Sequence, residues 1–299
     1  MGGNTASPGK LRPALAPLSP RRRRWSRFLR SLPLDPSQLM APLEPPSHRD
    51  FIICGSPRTG TALLTAALYQ PSRVVTVMEP WDGMRLLPTP LFRSLRDEIA
   101  STGMLARGRL DLDALCARGE VEWCGDGASR RPVELAPDGL LGVKWPTFWQ
   151  YLPLLPTTRF LVCVRHPYEV IASYRRAGGR LERGLEYDTA FNRATNDALR
   201  AATGDVRVRR VLLYDSINMR LLPFFGRDTV FVVRYERWFD DRPSLVAELS
   251  AFLGTDVSRP PVRIRERRDT MALEPDERAL IRATCGTAEP LGYPLGAWP

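Results

Sequence analysis

Residues 51–68 read FIICGSPRTGTALLTAAL: an apolar run that stops at Gly55, a tight polar loop, and a helical pattern opening near Gly60. This stretch constrains the fold most strongly, because its strand-then-helix order repeats down the chain. Short β-branched runs stand at 50–55 (DFIICG), 73–78 (RVVTVM), 139–144 (GLLGVK), 159–165 (RFLVCVR) and 229–235 (TVFVVRY). Helical patterns fall at 60–69, 167–176, roughly 188–203, 206–222 and 243–253. The alternation predicts the α/β class, a parallel sheet of about five strands with helices on both faces. Such sheets bind ligands beyond the carboxyl ends of their strands. The residues just after each strand are therefore the candidates for chemistry.

Two segments stand outside the alternation. Residues 1–48 hold eight cations (Lys10, Arg12, Arg21, Arg22, Arg23, Arg24, Arg27 and Arg30) against Asp35 and Glu44, together with nine of the 28 prolines. They predict a basic, disordered arm, with residues 49–299 as one domain. The arm's RRRRWSRFLR, residues 21–30, is also suited to weak contact with an anionic membrane surface through Trp25, Phe28 and Leu29. Residues 81–138 insert about 60 residues of mixed helical fragments and loops at the ligand edge, which suits a lid or acceptor pocket or, equally, a structural excursion.

The net charge of +10 is concentrated in the arm, and only +4 belongs to the remaining residues. That balance argues against a nucleic-acid binder with a basic folded face. A local positive site for a small polyanion remains compatible with it. Five scattered cysteines without a CxxC pair point to a reducing compartment, and so to the cytoplasm. With only His48 and His166, a His-rich metal site or a Ser–His triad has almost no material, and no metal is expected. No run of ~18 apolar residues predicts a membrane span, and the basic start lacks the apolar stretch of a signal peptide. Oligomeric state is not legible.

Set against the ATP-binding pattern G-x-x-x-x-G-K-[ST], the loop GSPRTGTA matches at Gly55 and Gly60. The lysine position is Thr61 and the metal-ligating hydroxyl position is Ala62. Backbone amides from Ser56 and Pro57 onward, ending at a helix N-terminus, can still cradle an anion. The apparatus for a magnesium-bound terminal phosphoryl group is missing. Arg58 offers a guanidinium instead, and Thr59 and Thr61 offer hydroxyls. A phosphosulfate suits such a loop, because its terminal sulfuryl group carries less charge. The bland alternative is a structural glycine turn.

A second candidate follows the run 159–165, in CVRHPYEVIASYRRAG. Arg165 stands at the strand's end, Pro167 suits a first helical turn, and Ser173 lies about two turns along. A guanidinium and a hydroxyl so placed can grip one phosphate from two sides. Taken alone the pattern is common in α/β proteins.

Together, residues 55–62 and 165–173 resemble the two donor signatures of the PAPS-dependent sulfotransferases, where PAPS is 3′-phosphoadenosine 5′-phosphosulfate. The first resembles the 5′-phosphosulfate loop, and the second the 3′-phosphate motif of Arg, seven intervening residues and Ser. RVVTVMEPWDGM resembles the second-strand segment of the carbohydrate sulfotransferases, and VVRYERWFDDRPSLVAELSAFLG (232–254) the family's late strand and helix. The resemblance runs from about 50 to 270, without most of 81–138, and implies a P-loop-like fold. Arg58 stands where many members have Lys, and RIRERRDT only loosely resembles the basic C-terminal loop of the cytosolic branch.

The resemblance implies transfer of a sulfuryl group from PAPS to a hydroxyl of a carbohydrate or glycosylated small molecule, leaving PAP (adenosine 3′,5′-bisphosphate). It implies Glu79 as the base, the alternative for this carboxylate being a helix cap near Trp81, with Asp82 as runner-up base, and Arg165 and Ser173 on the 3′-phosphate. Residues 56–62 would take the phosphosulfate. Lys144 and Arg58 would follow the charge on the transferring group. Lys144 stands out because the chain has 41 arginines and only one other lysine, Lys10; its alternative role is a surface lysine or salt bridge. Tyr235 either approaches the adenine or packs in the core. Arg265, Arg267 and Arg268 either close over the 3′-phosphate or form a solvated face. Trp81, Trp145 and Trp149 either stack on an acceptor ring or belong to the core. The competing functional readings are a P-loop small-molecule kinase and a non-catalytic nucleotide-binding protein.

Overall fold

A computed structural model describes residues 43–80, 87–103, 121–123, 133–145, 147–176, 190–258, 262–265 and 273–296. The basic stretch 21–30, Trp81, Asp82, Arg267 and Arg268 lie outside the described residues. In chain order the elements are β1 (Asp50–Gly55), α1 (Thr61–Leu68), β2 (Ser72–Met78), α2 (Pro88–Thr102), β3 (Val121–Trp123), β4 (Leu135–Lys144) and β5 (Arg159–Val164). They continue as α3 (Pro167–Arg176), α4 (Ala190–Ala202), α5 (Val206–Leu221), β6 (Val230–Arg234), a helical turn Arg237–Asp240, α6 (Arg242–Leu253), β7 (Val262–Ile264) and α7 (Pro275–Thr284).

Five strands form one parallel sheet in the order β2-β4-β1-β5-β6. β1 is central and wholly buried, as its unbroken apolar sequence requires when both faces of a sheet are covered. Ile52, Cys54, Val75, Val143 and Val162 pack on one side with helices that include α2, α3 and α5. Phe51, Ile53, Leu161 and Cys163 pack on the other with α1 and α6. Cys54, Cys163 and Cys285 are buried free thiols. No described helix is long and apolar enough to cross a membrane.

The predicted fold class stands, and each of the five strands falls on its predicted run, with β4 beginning earlier, at Leu135. Three features are additional. The inserted region contains α2, a 15-residue helix whose Arg96 grips Asp50 at the foot of β1 through Nε (2.9 Å) and Nη2 (2.7 Å). β3 pairs antiparallel with β7, tying the insertion to a segment some 140 residues later. Finally, α7 is the last described helix, with Pro275 in its first turn and a capping box between Glu274 and Glu277.

Candidate active site

All the strand tips of the main sheet point to one edge, because all five strands are parallel. β1 ends into residues 56–60, β2 into Glu79, β4 at Lys144, β5 into Arg165 and β6 into Tyr235. The topology therefore gathers the β1 loop, Glu79, Lys144, Arg165 and Tyr235 on one rim.

Between β1 and α1 the loop makes two turns that side chains resist. Gly55 has φ +146°, and a Cβ there would stand 2.4 Å from Cys163 O on the neighbouring strand. Gly60 has φ +94°, and its Cβ would fall 2.4 Å from Cδ2 of Tyr235. Glycine is required at both places by space and by backbone angle. Arg58, between them, holds φ +69° without that freedom. Such strain persists where the surroundings fix it, commonly at binding loops. Thr59 closes the turn, its hydroxyl donating to Ser56 O (2.7 Å) and its amide reaching the same oxygen (3.3 Å). Ser56 is buried with its Oγ 2.8 Å from the Tyr174 hydroxyl, which burial pushes well above the ordinary phenol range. The first helical bond of α1 runs from Leu64 N to Gly60 O (2.9 Å). The amides of 61–63 thus lack intrahelical acceptors, as at any helix start, and amides so placed can donate to an anion. Pro57 and Ala62 are half-buried, and Thr61 is buried at the head of α1.

The two candidate motifs meet directly. Arg58 Nε donates to Ser173 Oγ at 2.8 Å, joining the β1 loop to α3 across 115 residues of chain. Arg165, at the tip of β5, is only 7% exposed. Its guanidinium carbon stacks 4.0 Å from the centre of the Tyr235 ring, the same ring that abuts Gly60. One terminal nitrogen, Nη2, bonds Glu169 Oε2 (3.1 Å). The buried Nε meets no acceptor among the described residues. Buried donors are rarely left so, and an anion at this point would satisfy it. The arrangement fits a phosphate at Arg165 and a second anionic group at the β1 loop.

Glu79 and Lys144 form the remaining pair. The Glu79 amide donates to Lys144 O (2.9 Å), and the buried Lys144 ammonium donates to Glu79 Oε1. Glu79 holds φ +46°, and its side chain is 37% exposed while that of Lys144 is 7% exposed. The pair thus presents a half-open carboxylate backed by a buried cation at the sheet edge. Such a carboxylate can accept a proton from a solvent-side group. A buried ammonium can stabilise developing negative charge.

Several open alternatives are resolved. Trp145 and Trp149 are each 3% exposed in the core, so the stacking role offered for them is corrected to packing. The chain turns back through Phe148–Tyr151 immediately after β4, which buries both rings. Arg265 is exposed and pairs with Glu122 (3.1 Å). Tyr235 is half-buried between Gly60, Arg165 and Phe239 rather than enclosed in the core. Among the described residues no cluster of His, Cys, Asp or Glu is arranged to hold a metal. Sequence reasoning missed Tyr174 under Ser56, Glu169 on Arg165, and Tyr214, whose hydroxyl donates to Arg165 O (2.9 Å). Tyr174 and Glu169 stand within a turn or so of recognised residues. Tyr214 gives no local signal.

A sequence profile of the sulfotransferase family matches residues 50–259. No curated protein matches the chain. Among solved structures, a sulfotransferase from Alicyclobacillus acidocaldarius is 18% identical, with 86% of this chain and 99% of that one covered, at a TM-score of 0.41. The sulfotransferase domain from the curacin biosynthetic pathway is 20% identical over 73% of this chain and 78% of its own, at 0.41. A mouse sulfotransferase complexed with PAP is 13% identical over 85% and 70%, at 0.36. The profile spans the β1 loop, Arg165 and Ser173, the Glu79–Lys144 pair and the late strand, and on that match the chain belongs to the sulfotransferase family.

Proposed function

We propose that this protein transfers a sulfuryl group from PAPS to a hydroxyl of a carbohydrate or glycosylated small molecule, releasing PAP. The observation that carries the reading is the Arg58–Ser173 hydrogen bond (2.8 Å), with Arg165 stacked on the Tyr235 ring that abuts Gly60 of the same loop. Two grips held that close suit the two ends of one bisphosphorylated adenosine. In this reading Arg165 and Ser173 take the 3′-phosphate. Residues 56–62 take the phosphosulfate through backbone amides, Arg58 and the loop hydroxyls. Tyr235 borders the nucleotide.

The acceptor oxygen attacks sulfur while the bond from sulfur to the bridging oxygen of the 5′-phosphate breaks. The acceptor proton passes to Glu79, and the electron pair of the broken bond stays on PAP, its charge balanced by Lys144 and Arg58. Because no metal is needed for this charge balance, a loop without the lysine and hydroxyl of ATP-binding loops suffices. Positioning and charge stabilisation supply most of the rate, as in phosphoryl transfer. The Glu-Pro after β2 favours a sugar acceptor. We further assign residues 1–48 as an arm, residues 49–299 as the catalytic domain, and the cytoplasm as its place of action.

The test is transfer of radiolabelled sulfate from PAPS to a panel of glycosides, sugars and simple alcohols, without added magnesium. Label on glycosides supports the full reading. Label only on non-sugar alcohols retains the sulfotransferase and removes the sugar. Absence of transfer, with ATP·Mg consumed instead, establishes a kinase and refutes the proposal.

A further inference from the structure

We propose that Glu236 and Tyr293 are positioning residues for the donor's 3′-phosphate, acting through the single peptide unit that joins Arg165 to His166. The inference rests on the donor reading above and deepens it.

β5 receives its last ladder bond at Val164, whose carbonyl accepts from Tyr235 N (2.9 Å). The next peptide unit has left the sheet, and α3 begins only at Pro167. Its polar groups are buried and must find partners elsewhere. Two side chains from separate elements supply them. The Tyr214 hydroxyl of α5 donates to Arg165 O (2.9 Å), and His166 N donates to Glu236 Oε1 (2.9 Å). The peptide plane is therefore held at both ends, and with it the direction in which the Arg165 side chain leaves the backbone.

Glu236 is itself held from the far end of the chain. Its Oε2 accepts from the Tyr293 hydroxyl (2.8 Å). Tyr293 sits edge-on to the His166 ring (5.4 Å) and beneath the guanidinium of Arg234 (5.3 Å), which also donates to Leu291 O. The same terminal segment is pinned by Tyr168, whose hydroxyl donates to Leu295 O (3.0 Å). Residues 291–295 thus buttress the strand tip that carries Arg165, although they lie beyond the region 50–259 matched by the family profile.

A carboxylate beside an anion site works against anion binding by simple charge, so whatever Glu236 contributes must be geometric. Glutamine retains the geometry: its carbonyl can accept from His166 N while its amide donates to the Tyr293 oxygen. Charge and position are separable by that one substitution.

The experiment is calorimetric measurement of Kd for PAP and for adenosine 5′-monophosphate on the full chain, because their ratio reads the 3′-phosphate grip alone. Glu236→Ala should lower the preference for PAP about tenfold, the effect of loosening one charge-assisted contact. Tyr293→Phe, which removes only the hydroxyl, should lower it in the same direction by less. It keeps the test decisive if Glu236→Ala does not fold. Glu236→Gln should keep the wild-type preference. A merely structural defect scales both affinities together through the folded fraction and leaves the ratio alone. The inference is overturned by an unchanged ratio in Glu236→Ala and Tyr293→Phe, or by Glu236→Gln losing as much as alanine. Wild-type protein that binds PAP no more tightly than the monophosphate overturns the donor reading itself.

Discussion

Replacing Gly60 with alanine strikes the cradle and its neighbour together. The new Cβ would stand 2.4 Å from Cδ2 and 3.0 Å from Cε2 of Tyr235, on a backbone at φ +94°. An L-residue in the left-handed region costs about 1–2 kcal/mol, and forcing a methyl group into packed space about 1–3 kcal/mol more. The ring cannot yield freely, since Arg165 stacks on it at 4.0 Å and Phe239 meets it at 5.4 Å. Gly60→Ala should therefore cost about 2–5 kcal/mol in urea denaturation followed by tryptophan fluorescence. It should also weaken PAP binding, because moving Tyr235 displaces the Arg165 guanidinium. A double-mutant cycle with Tyr235→Ala isolates the steric share, and its coupling should be about 1–3 kcal/mol in favour of the double variant. Additivity within about 0.5 kcal/mol would show that the ring and the glycine do not press on each other. The account of the cradle would then be wrong.

Glu79→Gln should leave the PAP Kd unchanged and lower kcat by about 10²–10⁴, measured as sulfate transfer with labelled donor; normal turnover would move the base elsewhere. His166 supplies a pH test. Burial lowers its pKa from 6.5 to about 4, and its Nδ1 accepts from Tyr168 N (3.2 Å), which requires the unprotonated nitrogen. The unfolded chain takes up the proton near 6.5 and the folded one does not. Its contribution is therefore intact above that pH and is lost on acidification toward pH 4, by about 3 kcal/mol at most. Urea midpoints at pH 7 and 4.5 should fall further apart in the wild type than in His166→Gln; equal differences would contradict the buried neutral ring.

The sheet was legible because its strands are short apolar runs, buried on both faces and ending at polar residues. The rim followed from their parallel direction. β4 begins at Leu135, earlier than its apolar run at 139, because it continues across Pro137 and Asp138 beside β2. Pairing, rather than composition, extends it. α2 carries Leu91, Phe92, Leu95 and Ile99 on one buried face behind an opening Pro-Thr-Pro, so its periodicity was present but diluted by polar residues. The cap of α7, with Pro275 after Glu274 and Glu277 closing the box, was a usable signal. Three-residue strands such as β3 and β7 have no readable period, and their pairing exists only in the fold. The same holds for Tyr214, Glu236 and Tyr293, which converge on one peptide from three distant stretches. Trp145 and Trp149 stayed open between stacking and core for a different reason, since a ring just after a strand tip is exposed only if the chain continues outward.

The central claim is that one adenosine bisphosphate is held at both ends by these two motifs. Calorimetric titration of the full chain with PAP in magnesium-free buffer, beside Arg165→Ala, measures it directly. One PAP per chain should bind without the metal and more tightly than ATP·Mg. Arg165→Ala should lose about 1.5–3 kcal/mol for PAP, as expected of a charge-assisted contact, and almost nothing for adenosine 5′-monophosphate. Tighter binding of ATP·Mg than of PAP, or an unchanged PAP affinity in the variant, would contradict the claim.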